Sequence, residues 1–98
     1  MIILIDGIEP QFKIYKMTEC IENKFYIGKS KTPLKERMNH HMRNSLDCDK
    51  HFSNIGWNNV TVEIIEACYD ENDMNKKEKF HIQKYFNSDF DKILNLKC

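Results

Sequence analysis

The segment from residue 11 to residue 29 constrains this chain most. It holds two short apolar runs, Phe12, Ile14 and Tyr15, then Phe25, Tyr26 and Ile27, on either side of a polar stretch from Glu19 to Asn23. β-Branched and aromatic residues flanking a turn-forming stretch read as an antiparallel hairpin. Gly28 is expected to end the second strand. A lone hairpin is marginal in water, so it must find a further strand or a helix to cover it.

Both follow in the sequence. Thr32-Pro33 opens a helix, with Thr as the expected N-cap and Pro tolerated at the first helical position. Leu34, Met38, His41, Met42 and Ser45 then share one face, and the helix should end between Asn44 and Asp47. Residues 49–56 read as a short helix stopping at Gly56. Val60 to Ile65 is a strand with Val60, Val62 and Ile64 alternating, and a second main helix runs from about Asp73 to Phe86, capped by Asp70 or Asn72. Ile93 to Leu96 reads as a last short strand. The order β-β-α-(α)-β-α-β predicts an α/β (α+β) fold: a small, three-stranded, mostly antiparallel sheet flanked by helices.

With 98 residues, one domain over 1–98 is expected, its core spanning 11–96. Residues 1–10 form an N-terminal extension. Its start, Met1 to Ile5, is apolar but too short for a signal peptide and has no basic leader, so it reads as a strand able to add to a sheet edge. No apolar run approaches the roughly 20 residues of a membrane span. Apolar residues at 41% and charged residues at 31% fit a folded globular chain rather than a disordered one. The abundance of Lys, Ile and Asn fits an AT-rich genome, such as that of a virus, phage or mobile element. The four cysteines form no C-x-x-C pair and read as reduced thiols in an intracellular protein. Cys48-x-x-His51 has ligand-like spacing, but nothing nearby completes a four-ligand zinc site.

The formal charge is zero, yet residues 11–45 carry eight cations against three acids, a net +5. Such a stretch is either a plain solvated face or one that meets an anion.

Two helices carry polar residues where apolar ones belong. At 100° per residue, Glu78 falls in the middle of the stripe made by Met74, His81, Ile82 and Tyr85. A carboxylate there is costly unless it is paired, hydrogen-bonded or bound to a cation; the plain alternative is a Glu at the stripe's edge reaching a nearby Lys. On the first helix Arg37 and His41 are neighbours four residues apart, beside the stripe of Leu34, Met38 and Met42. Arg offers a planar fork of donors suited to phosphate, and His can donate a hydrogen bond or move a proton near neutrality. The plain alternatives are a surface ion pair with Glu36 and a satisfied, partly buried histidine. His40, about 100° around the helix, is expected to be more exposed than His41.

Lys13-Ile14-Tyr15 and Tyr26-Ile27-Gly28, separated by ten residues, resemble the two half-motifs of the GIY-YIG nucleases. Gly28-Lys29-Ser30-Lys31-Thr32, with Leu34, Arg37 and His41 beyond it, resembles that family's loop and R-x-x-x-H helix. Glu78-Lys79-Phe80-His81-Ile82 resembles its metal-binding segment, and Asn95 its terminal asparagine. Lys13 stands where the family usually has glycine.

The resemblance implies a DNA endonuclease that hydrolyses phosphodiester bonds with one Mg²⁺ or Mn²⁺ held by Glu78. It implies Arg37 as phosphate clamp, Tyr15 as general base with its phenol pKa lowered by metal and cations, Tyr26 positioning water or phosphate, and His41 bonding or relaying a proton. Either tyrosine remains open as the base. Gly28, Lys29, Ser30, Lys31 and Asn95 are the expected substrate-binding residues. DNA is the expected partner, with a targeting protein as a further one. The alternatives are a non-catalytic nucleic-acid-binding module and an accessory subunit.

Overall fold

Strands β2 (Phe12–Glu19) and β3 (Phe25–Ser30) form the hairpin at the centre of a computed structural model that describes residues 1–43 and 46–95. Their antiparallel register sets Tyr15 opposite Gly28 and Met17 opposite Tyr26. The turn between them is built by a side chain: the buried Glu19 carboxylate accepts the backbone N–H groups of Glu22 at 2.9 Å and Lys24 at 2.8 Å. Asn23 sits there at φ 60°, a left-handed conformation that Asn tolerates better than most residues. β3 continues two residues past Gly28, because Lys13 and Ile14 still offer partners to Ser30 and Lys29.

The sheet has four strands rather than three. Strand β4 (Val60–Cys68) pairs antiparallel with β2, and β1 (Ile2–Leu4) pairs parallel with β4, giving the order β1-β4-β2-β3. The apolar start of the chain is therefore the fourth, edge strand, and it makes the sheet mixed. β4 runs past Ile65 to Cys68 because β2 is long enough to pair Phe12 with Cys68; a register shift at Ile14/Tyr15 accommodates the extra residue. The strand expected at 93–96 is only an isolated bridge from Ile93 to Phe25, and Leu96 lies outside the described residues.

Alternation along the strands divides the core in two. Tyr15, Met17, Tyr26, Val60 and Val62 face helix α1 (Leu34–Met42) and the short α2 (Asp49–Ile55), meeting Leu34, Met38 and Phe52. Ile14 and Ile27 face the other way and meet Met74 of α3 (Glu71–Ser88). Full burial of an aliphatic or aromatic side chain contributes about 1.5–3 kcal/mol, so each face anchors its helix. α1 and α3 consequently lie on opposite faces of the sheet.

Thr32 is not the N-cap of α1; Pro33 holds that position. The N–H of Leu34 donates instead to the Glu9 carboxylate at 2.9 Å, and the buried Lys13 ammonium binds both Glu9 and the Thr32 carbonyl. An acid from the N-terminal segment thus takes over the capping role. Met42 is 41% exposed, off the buried line of Leu34, Met38 and His41, and Ser45 falls outside the described residues. α2 stops at Gly56, whose φ of 104° is a conformation that only glycine adopts readily. Asp70 caps α3 by accepting from the Asp73 N–H at 2.8 Å. Cys20 and Cys68 are free thiols, as expected, and Cys98 lies outside the described residues. Among the described residues, no helix is long and apolar enough to cross a membrane.

Candidate active site

β3 is an edge strand with a helix on each side of the sheet it borders, and a cleft of about 390 Å³ opens along it. α1 contributes Arg37, α3 contributes Glu78 and Glu71, and β3 with the following turn contributes Tyr26, Lys29 and Lys31. A larger hollow of about 660 Å³ lies between the 4–10 segment and β4. It holds the carboxylates Asp6 and Glu63 but no basic or phenolic group, so chemistry rather than size singles out the cleft on β3.

Tyr15 lies behind the cleft wall, fully buried, while Tyr26 retains 7% exposure and forms part of the wall. Gly28 makes this layering possible. A Cβ on it would sit 2.4 Å from Cζ and the hydroxyl oxygen of Tyr15 and 2.7 Å from the Tyr26 ring, so no larger residue fits unless the phenols move.

The Tyr15 hydroxyl is a junction. Arg37 Nε donates to it at 3.1 Å, and His41 Nε2 lies 2.7 Å away. The other ring nitrogen of His41, Nδ1, is 2.6 Å from Oδ1 of Asp49, and the second Asp49 oxygen accepts the Leu46 N–H at 3.0 Å. His41 and Asp49 are both wholly buried. A continuous line of contacts therefore runs from Asp49 through His41 and Tyr15 to Arg37 at the cleft.

Burial dominates the electrostatics. It pushes the Tyr15 phenol well above its usual range, with Tyr26 adding to the rise and Arg37 opposing it. In the protein alone, loss of solvent outweighs one guanidinium. Burial likewise raises Tyr26 and lowers His41, the latter against the pull of Asp49. His41 is held neutral.

Burial also raises the Glu78 carboxyl, opposed by Lys29, Arg37 and Lys79. Its closest cation is Lys29, at a long 3.8 Å, and its side chain remains 20% exposed. A partly desolvated carboxylate without a close partner suits a divalent cation. No three His, Cys, Asp or Glu side chains cluster among the described residues, so a cation at Glu78 would complete its shell with water and phosphate oxygens, as Mg²⁺ commonly does.

Of the expected substrate-binding residues, Lys29, Ser30 and Lys31 border the cleft, Lys29 bonded to Asn75 at 2.5 Å and Lys31 facing Glu71 at 3.4 Å. Ser30 turns its hydroxyl to the Thr32 carbonyl at 2.8 Å and shapes the turn. Asn95 gives both ends of its amide to Ile27, accepting its N–H at 2.9 Å and donating to its carbonyl at 2.7 Å. It acts on the site by fixing β3 between Tyr26 and Gly28. His40 is exposed where His41 is buried. Asp49 and Glu71 went unnoticed in the sequence, since an acid in the first turn of a helix is ordinary there.

The family model described as the GIY-YIG catalytic domain matches residues 11–90, a range that contains Tyr15, Tyr26, Arg37, His41 and Glu78. No curated protein and no solved structure gives a significant match to the chain.

Proposed function

Since the chain belongs to the GIY-YIG catalytic-domain family, a family of nucleases, we propose that it is a metal-dependent endonuclease that hydrolyses phosphodiester bonds of DNA in the cleft on β3. The observation that carries this reading is the meeting of Arg37 and Glu78 in one cleft, although they come from helices on opposite faces of the sheet. A guanidinium to clamp a phosphate and a carboxylate to hold a cation are the two groups that phosphodiester chemistry needs side by side.

Glu78 would hold Mg²⁺ or Mn²⁺, which when bound supplies charge neutralisation on the phosphoryl and leaving oxygens. Arg37 grips the phosphate and stabilises the charge that builds in the transition state. Lys29 and Lys31 lie where neighbouring phosphates would pass. Tyr26 orients the attacking water from the cleft wall.

Tyr15 is the general base, and it works as a neutral phenol. When Arg37 turns its fork to the phosphate, the Tyr15 oxygen is free to take a proton from water while its own hydrogen passes to His41. The buried contact to His41 Nε2 supports this assignment over Tyr26. Every residue given a role addresses phosphate, metal or water rather than base edges, so the chain on its own discriminates little between sequences.

The test is Glu78→Ala assayed by plasmid nicking with Mg²⁺. Loss of cleavage with an unchanged circular dichroism spectrum is the expected result; full activity would sink the assignment.

A further inference from the structure

The Asp49 side chain is buried behind the cleft, and nothing in the proposed hydrolysis so far uses it. It opens α2, has no exposed surface, and spends both oxygens: Oδ1 on His41 Nδ1 at 2.6 Å and Oδ2 on the Leu46 N–H at 3.0 Å. From these contacts we infer that Asp49 is a positioning residue, which locks His41 in the one tautomer able to take a proton from Tyr15. The inference rests on the reading of Tyr15 as general base.

The chemistry of the contacts sets the direction of each hydrogen bond. An ionised carboxylate only accepts, so the hydrogen between Asp49 and His41 belongs to Nδ1. Neutral His41 then has its lone pair on Nε2, facing the Tyr15 hydroxyl 2.7 Å away. Tyr15 therefore donates to His41 and accepts from Arg37.

During hydrolysis the water O–H bond breaks and its electron pair forms the new bond to phosphorus, while the bond from phosphorus to the leaving oxygen breaks with its electron pair on that oxygen, which takes a proton from solvent. The released proton bonds to the Tyr15 oxygen as the Tyr15 hydrogen moves to Nε2. The imidazolium so formed lies against the Asp49 carboxylate, and Tyr15 ends as it began, a neutral phenol. Release of the proton from Nε2 to solvent restores the site.

An isosteric change separates this role from a structural one. In Asp49→Asn, the Leu46 N–H can only donate, so the amide oxygen must stay on Leu46 and the NH₂ must turn to His41. There it donates to Nδ1, which moves the ring hydrogen to Nε2. His41 then points a hydrogen at Tyr15 and cannot accept one.

The experiment reads imidazole ¹⁵N shifts of His41 in the metal-free chain, wild type and Asp49→Asn, alongside plasmid nicking with Mg²⁺. The expected result is Nδ1–H in the wild type, Nε2–H in the variant, and a nicking rate lowered about 10²-fold or more with unchanged KM, as for loss of a general base. A wild-type His41 protonated on Nε2 overturns the inference whether or not the variant folds. So does a variant that cleaves at the wild-type rate. If the wild type cleaves no DNA, the proposed hydrolysis fails, while the wild-type tautomer still decides the role of Asp49.

Discussion

Gly28 and Tyr15 face each other across the hairpin so closely that the missing side chain of one is the space occupied by the hydroxyl of the other. A methyl group at residue 28 would meet the phenol oxygen at 2.4 Å. Neither side can yield easily, since Tyr15 is packed from below and tied to both Arg37 and His41.

Gly28→Ala should therefore act on stability and on the site together. Overpacking of this kind costs about 1–3 kcal/mol, and relief requires the Tyr15 hydroxyl to leave His41. Urea denaturation should show a lower midpoint with an unchanged slope. Nicking should fall by more than the loss of folded protein explains. A variant as stable and as active as the wild type would show that the phenol has room to move.

Stability should also depend on pH through His41. Unfolded, the imidazole takes a proton near 6.5; folded, burial holds it neutral to lower pH, despite the pull of Asp49 and with Arg37 and His40 opposing protonation. Below about pH 6.5 the unfolded chain then binds more protons than the folded one, so stability falls as pH drops through the window beneath that value. Tyr15 and Tyr26, the other ionisable groups packed against the ring, are neutral throughout this range. The urea midpoint should be lower at about pH 5.5 than at about pH 7.5, with a smaller difference in His41→Gln. An equal pH difference in that variant would assign the effect to another group.

Asn95→Ala removes two hydrogen bonds to Ile27 and nothing from the cleft lining. At about 0.5–1.5 kcal/mol for each bond, the loss should be about 1–3 kcal/mol. It should also be local: exchange of the Ile27 amide hydrogen should accelerate well beyond that of Ile14 or Val62. Uniform acceleration across the sheet would mean that Asn95 supports the fold as a whole rather than this strand.

The sequence revealed the parts of the site that have local causes. Tyr15 and Tyr26 stand in runs whose composition marks a hairpin, and Glu78, Arg37 and His41 break or border a helical stripe. Each is a departure from a short-range pattern, so it can be seen without knowing the fold. Asp49 departs from nothing: its meaning comes from His41, which only the packing of α2 against α1 brings to 2.6 Å. The Glu9 cap on Leu34 was hidden for the same reason, since it joins residues 25 apart through the path of the N-terminal segment. The parallel pairing of β1 with β4 is likewise non-local, and a three-residue apolar run cannot announce its partner. The layering of the two tyrosines depends on both strands at once, so the identity of the cleft-facing phenol could not be read from either motif.

The bidentate grip of Asn95 on Ile27 has a consequence for how copies of this protein behave toward one another. An outer strand of a sheet normally exposes a row of free peptide groups, and such a row templates strand addition and aggregation. From Phe25 to Ile27 that row is already engaged: the Phe25 N–H donates to the Lys92 carbonyl, the Leu94 N–H donates to the Phe25 carbonyl, and Asn95 takes both groups of Ile27. The segment after α3 serves as a surrogate neighbour, in part a strand and in part a side chain imitating one. Along that stretch the rim can thus stay open to a ligand on its cleft side while offering a second chain no ladder to extend.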